Sequence, residues 1–107
     1  MNHNSTKPSN ILIPISLGEL IDKITILEIK QERMVADKLK NVTKELESLR
    51  LIVENQNIEI DSNLLDSLKR RNNNLWEIED KIRLKEKELA FDEDFIKLAR
   101  SVYKEND

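Results

Sequence analysis

Polar side chains interrupt the apolar faces of this chain at a few positions, and those positions are where chemistry would sit. Glu28 and Gln31 project onto the main apolar face of a first helical stretch; Asn72, Glu79, Arg83 and Glu86 do so on a second. A buried carboxylate is costly unless a cation or donor meets it. Glu79 and Arg83 stand at i,i+4 in the favourable order and can satisfy each other. Such residues can form a structural polar layer that fixes register or oligomeric state. They can also sit exposed at the edge of a seam, or build a ligand site. For that last use the set is Glu28, Trp76, Glu79, Asp80 and Arg83, which offers an aromatic wall, carboxylates and one guanidinium. Trp76, the single Trp, equally reads as a core anchor whose indole N–H finds an acceptor, and Tyr103 is similar. The run Asn72-Asn73-Asn74 reads as a solvated helix face.

Composition narrows the chemistry. There is no Cys, which removes thiol catalysis, thiolate metal sites and disulfides. The one His, His3, lies in a polar leader, so no helix carries a Glu-x-x-His metal site, and no EF-hand spacing occurs. The expectation is no cofactor and no metal. Net charge is −3 with the signs interspersed, and Lys69-Arg70-Arg71 is the densest basic cluster. Nucleic-acid binding normally needs a basic stripe, so neither that nor attachment to acidic membranes is expected. No apolar run approaches the ~20 residues that span a bilayer, and the leader lacks a signal peptide's hydrophobic core. The cytoplasm is the default location.

The elements that must position these residues are helices. Of 107 residues, 36% are charged and 4% aromatic, with one Gly and two Pro, which is helix-forming material without the punctuation of a many-turned β fold. Residues 1–10 read as a disordered leader, and residues 11–107 as a single helical domain. Within that domain 11–15 is an apolar extended arm, which either pairs with Ile58-Glu59-Ile60 or packs without ladder bonds. Ser16 and Glu19 form a capping box: the Ser side chain takes the Glu19 amide and the Glu side chain reaches back. The first helix therefore starts at Leu17.

At 100° per residue, Leu17, Leu20, Ile21, Ile24 and Leu27 share one face, while Ile26 and Ile29 share another with Gly18 and Asp22. Two apolar faces need two neighbours. Gly18 either permits a close backbone approach or is a tolerated first-turn residue. The stripe shifts at Ala36-Asp37-Lys38, where either one long helix continues through a stutter or the chain breaks briefly at Asp37; the favoured reading is one continuous or gently bent helix over about 17–54. A second long helix runs over about 63–89, capped by Asp61 or Ser62. A last one covers about 93–105 with Asp92 as its cap and Phe95, Leu98, Ala99 and Val102 on one face.

The fold class is thus all-α: a long antiparallel helical hairpin plus a short C-terminal helix, completed into a bundle by dimerisation. If the hairpin turns over residues 55–62, Glu79 faces Lys38 and Glu28 faces Leu89. The two carboxylates are then roughly 15 Å apart, from about ten residues at 1.5 Å each, which weakens a paired-carboxylate enzyme.

Three segments resemble the signatures of a family of short uncharacterised bacterial and phage proteins, a domain of unknown function. They are Pro14–Lys30 (PISLGELIDKITILEIK), Leu75–Arg83 (LWEIEDKIR) and Phe95–Asp107 (FIKLARSVYKEND). The resemblance implies that Trp76, Glu79, Asp80, Arg83, Tyr103 and Asn106 belong to recurring motifs. It implies no activity, beyond an association of some members with surface-glycan and glycosyltransferase genes. Members continue past the Asn-Asp pair with a basic helical stretch, so the resemblance implies a truncated form here. Leu17-Gly18-Glu19-Leu20-Ile21-Asp22 is also similar to the Leu-Arg-x-x-Ile-Asp pattern of all-helical chorismate mutases, but Gly18 stands where that chemistry needs an Arg to hold a dicarboxylate.

The sequence therefore favours a non-catalytic helical oligomerisation or interaction module over an enzyme. Its expected partner is a second copy of itself, with another protein as a further candidate. The competing reading is a small-molecule site or enzyme at a helix or dimer interface, built from Glu28, Trp76, Glu79, Asp80 and Arg83.

Overall fold

The computed structural model describes residues 11–106, so the expected disordered leader and Asp107 lie outside the described residues. The fold is all-α. Four helices follow in order, α1 (Leu17–Arg33), α2 (Ala36–Asn55), α3 (Ser62–Lys87) and α4 (Glu93–Asn106), with no strand among the described residues.

Local chemistry sets the helix starts. At α1, Ser16 Oγ accepts the Glu19 N–H at 3.1 Å. The other half of the capping box differs from expectation: Glu19 Oε1 accepts the Ser16 hydroxyl at 3.1 Å, which ties the two side chains directly. Asp61 caps α3 by accepting the Asn63 N–H at 2.9 Å. Asp92 accepts the Phe95 N–H at 3.0 Å where α4 begins.

The continuous helix expected over 17–54 is instead two helices. The Met34 N–H closes α1 onto the Lys30 carbonyl, Met34 and Val35 are extended, and Ala36 takes φ 56°. A left-handed Ala costs about 1–2 kcal/mol. The return is larger. Folding back at this point brings Val42, Leu46, Leu49 and Val53 of α2 onto Leu20, Ile24 and Leu27 of α1. Fully burying one Leu or Ile contributes about 1.5–3 kcal/mol, and Leu46 is completely buried.

The hairpin therefore turns at residues 34–35 and not at 55–62. α3 packs on α1, and among the described residues it makes no close backbone contact with α2, while α4 packs on α3. The register that placed Glu79 opposite Lys38 and Glu28 opposite Leu89 is superseded, because α1 has α2 and α3 as neighbours in the same chain.

α1 is the centre of this arrangement. Leu20, Ile24 and Leu27 face α2. The row Ile21, Thr25 and Ile29, spaced at i,i+4,i+8, is buried to 1% exposure or less, with Thr25 and Ile29 meeting α3. Both faces are thus covered without a second copy. Gly18 serves no close approach, since a Cβ there would meet only Ser16 Oγ at 4.0 Å. Among the described residues the left-handed backbone positions are Ala36, Asn57 and Leu89, none of them Gly.

Burial is uneven. α3 and α4 contain no buried residue.

Candidate functional site

The seam between α1 and α3 holds three of the six polar residues that the sequence places on apolar faces, Glu28, Asn72 and Glu79. Its inner part is a three-residue network. Asn72 Nδ2 donates to Asp22 Oδ1 and to Thr25 Oγ1, each at 2.8 Å. The Thr25 hydroxyl in turn donates to the Asp22 backbone carbonyl at 2.7 Å. The two hydrogens of one amide are thereby matched to two acceptors on one face of α1. Arg71 approaches Asp22 at 3.9 Å, and its Nε is buried with no hydrogen-bond partner among the described residues.

One turn further along α1, Glu28 ties three helices together. Its Oε2 accepts from Arg50 of α2 at 2.9 Å, and its Oε1 lies 3.9 Å from Lys69 of α3. Lys69 also donates to Glu32 at 2.8 Å. That bond to Glu32, with Glu28 and Asp66 nearby, holds the Lys69 ammonium above the usual lysine range despite an opposing desolvation. Glu28 is therefore occupied as a structural clamp.

Trp76 stands on the same seam, with the Arg33 guanidinium 5.5 Å from its ring centroid. This cation–π contact is worth about 0.5–1 kcal/mol at an exposed site. Arg33 Nη2 also donates to Asn73 Oδ1 at 3.3 Å, so Asn72 and Asn73 of the Asn run serve the seam while Asn74 faces solvent. Beside Trp76 lies a niche of about 220 Å³ lined by Ile26, Ile29, Asn72, Leu75, Trp76 and Glu79. Glu79 is exposed at its edge and has no ion-pair partner among the described residues. Arg83 does not pair with Glu79. It pairs with Asp80 at i,i+3, and both are exposed.

The five candidates thus separate into three places. Trp76 and Glu79 share the niche, Asp80 and Arg83 form a surface pair, and Glu28 is held by Arg50 and Lys69. Nothing brings them to one reacting centre. Among the described residues no three His, Cys, Asp or Glu side chains gather as a metal cluster, and no described helix is long and apolar enough to cross a membrane.

Sequence reasoning missed Thr25, Arg33, Arg50 and Lys69. Thr25 carried a signal, lying four residues from both Ile21 and Ile29 on the buried row. The cations carried none, because their partners depend on where the chain folds back.

The chain belongs to the family of unknown function DUF6165, whose family model matches residues 11–107. No curated protein and no solved structure matches the chain.

Proposed function

We propose that this member of a family of unknown function is a non-catalytic, cytoplasmic helical module that associates with a second copy of itself. One observation carries the reading. Large apolar side chains stay in water at both ends of the fold: Ile11, Leu12, Ile13, Leu51 and Ile52 near the start of α1 and the end of α2, and Leu84, Leu89, Phe91, Ile96 and Tyr103 along α3, α4 or the loop between them. That is more exposed apolar surface than a monomer in water ordinarily carries, and α3 and α4 contain no buried residue.

This support differs from the sequence-based ground for a dimer, which was the second apolar face of the first helix. That face is covered by α3. The ground is now the surface left over once all four helices have packed.

Sedimentation equilibrium on the full chain tests the proposal. A dimer or higher species is expected at micromolar concentration, and a compact, stable monomer there would sink it. The competing ligand-site reading retains only the niche beside Trp76, where two of its five residues meet. Saturable quenching of Trp76 fluorescence by a small molecule, with no change in mass, would favour it instead.

A further inference from the structure

At the end of the α1–α2 hairpin furthest from its turn, an apolar arm and an apolar groove lie side by side. The groove encloses about 850 Å³ between the arm and the helices, with Leu17, Leu20, Leu49, Ile52 and Ile58 among its walls. The arm does not fill it. Ile11, Leu12 and Ile13 are 81%, 93% and 70% exposed, and among the described residues no backbone hydrogen bond outside the helices involves residues 11–15. Ile15, Leu17, Leu51 and Ile52 add further exposed apolar surface next to it. Seven large aliphatic side chains at one end of a small chain exceed what a soluble monomer ordinarily leaves in water.

We infer that the occupant is a second copy of this chain, with the arm 11–15 of each copy lying in the groove of the other. This rests on the self-association proposed above and names the surface that performs it.

Two observations single out a second copy. The arm forms one wall of the groove and leaves it unfilled, so the exposed arm and the open apolar surface of the helices lie together at one end of the chain. A single two-fold axis through that surface seats both arms at once, whereas an unrelated partner would cover one and leave the other exposed. The charged residue lining the groove, Lys23, is already paired with Glu45 at 3.4 Å, so the groove offers no spare charge to select a charged ligand or peptide. The exposed apolar residues of α3, α4 and the loop between them lie outside this groove.

The chain has no Cys, which permits a direct test. Ile13→Cys and Ile52→Cys are placed in separate, differently tagged full-length chains, co-expressed and oxidised. A disulfide needs Cα atoms within about 7 Å. The expected result is a mixed disulfide between the two tags, formed about tenfold or more above a pairing of Ile13→Cys with Glu47→Cys, which lies outside the groove, because seating the arm raises the local thiol concentration. Sedimentation of the same samples separates the possible failures. A dimer with no mixed disulfide above that control overturns arm exchange but leaves self-association standing. A monomer with no mixed disulfide overturns both. If Ile13→Cys and Ile52→Cys placed in one chain close only within that chain, the arm occupies its own groove and the exchange is refuted.

Discussion

The Asn72 side chain reaches across the α1–α3 seam and donates to Thr25 and Asp22 at 2.8 Å each. Thr25 is fully buried, so its hydroxyl has no water to turn to if the amide is withdrawn. This is the point at which the position of α3 on α1 is specified by hydrogen bonding as well as by apolar contact. A sliding of α3 by one residue would carry the amide off both acceptors.

Asn72→Ala should therefore destabilise the fold by about 1–3 kcal/mol, since it removes one hydrogen bond to a hydroxyl and one to a carboxylate. Urea denaturation followed by helical circular dichroism would measure it. A loss indistinguishable from zero would mean that water replaces the amide and that the seam is looser than described.

Ile24 is 4% exposed at the centre of the α1–α2 core. Ile24→Asp places an unpaired charge there and should abolish cooperative unfolding at room temperature. Ile24→Val is the control and should cost only about 0.5–1.5 kcal/mol. An unchanged melting temperature for Ile24→Asp would show that α1 and α2 do not pack on each other.

Two glycine exchanges should both stabilise, in opposite chemical directions. Gly18 is helical, with no neighbour nearer than 4.0 Å to an added Cβ, so Gly18→Ala should gain up to about 1 kcal/mol of helix propensity. Ala36 sits at φ 56°. Ala36→Gly relieves about 1–2 kcal/mol of left-handed strain but adds about 0.4–1 kcal/mol of unfolded-state entropy, leaving a smaller net gain. A loss on Ala36→Gly would show that Ala36 does not adopt this conformation in solution.

Acid should loosen α4 through Asp92. Its carboxyl is held below the usual carboxylate range, first by the Phe95 N–H and then by Lys85. A depressed folded pKa contributes stability that is present above the unfolded value, near 3.8, and is lost as pH falls through the lower folded value. The difference in melting temperature between the native chain and Asp92→Asn should be present at neutral pH and shrink towards zero in strong acid. A difference that did not change with pH would mean that the charge of Asp92 plays no part. Lys85 is displaced in the matching sense, upward, chiefly by its bond to Asp92.

Much of the fold was legible in the sequence because the determining contacts are short-range. The cap at Ser16 acts on Glu19, that at Asp61 on Asn63 and that at Asp92 on Phe95, each within three residues. The all-helical class followed from composition, since one Gly and two Pro leave few means of building turns. The two apolar faces of α1 were legible from the 100° periodicity, because that geometry is intrinsic to the helix.

The sequence by itself thus determined where helices begin, which residues they turn inward, and that α1 needs a neighbour on each side. Only the tertiary structure decided which neighbours those are. Helix propensity around Met34-Val35-Ala36 did not favour a break. The break is selected because it lets Leu46 and its row meet Leu20, Ile24 and Leu27, a gain that exists only between segments distant along the chain and outweighs the local strain at Ala36. Once the chain folds there, Glu28 meets Arg50 and Lys69, Arg33 covers Trp76, and Arg83 is left to Asp80. Those pairings depend on long-range registration, which no local spacing encodes.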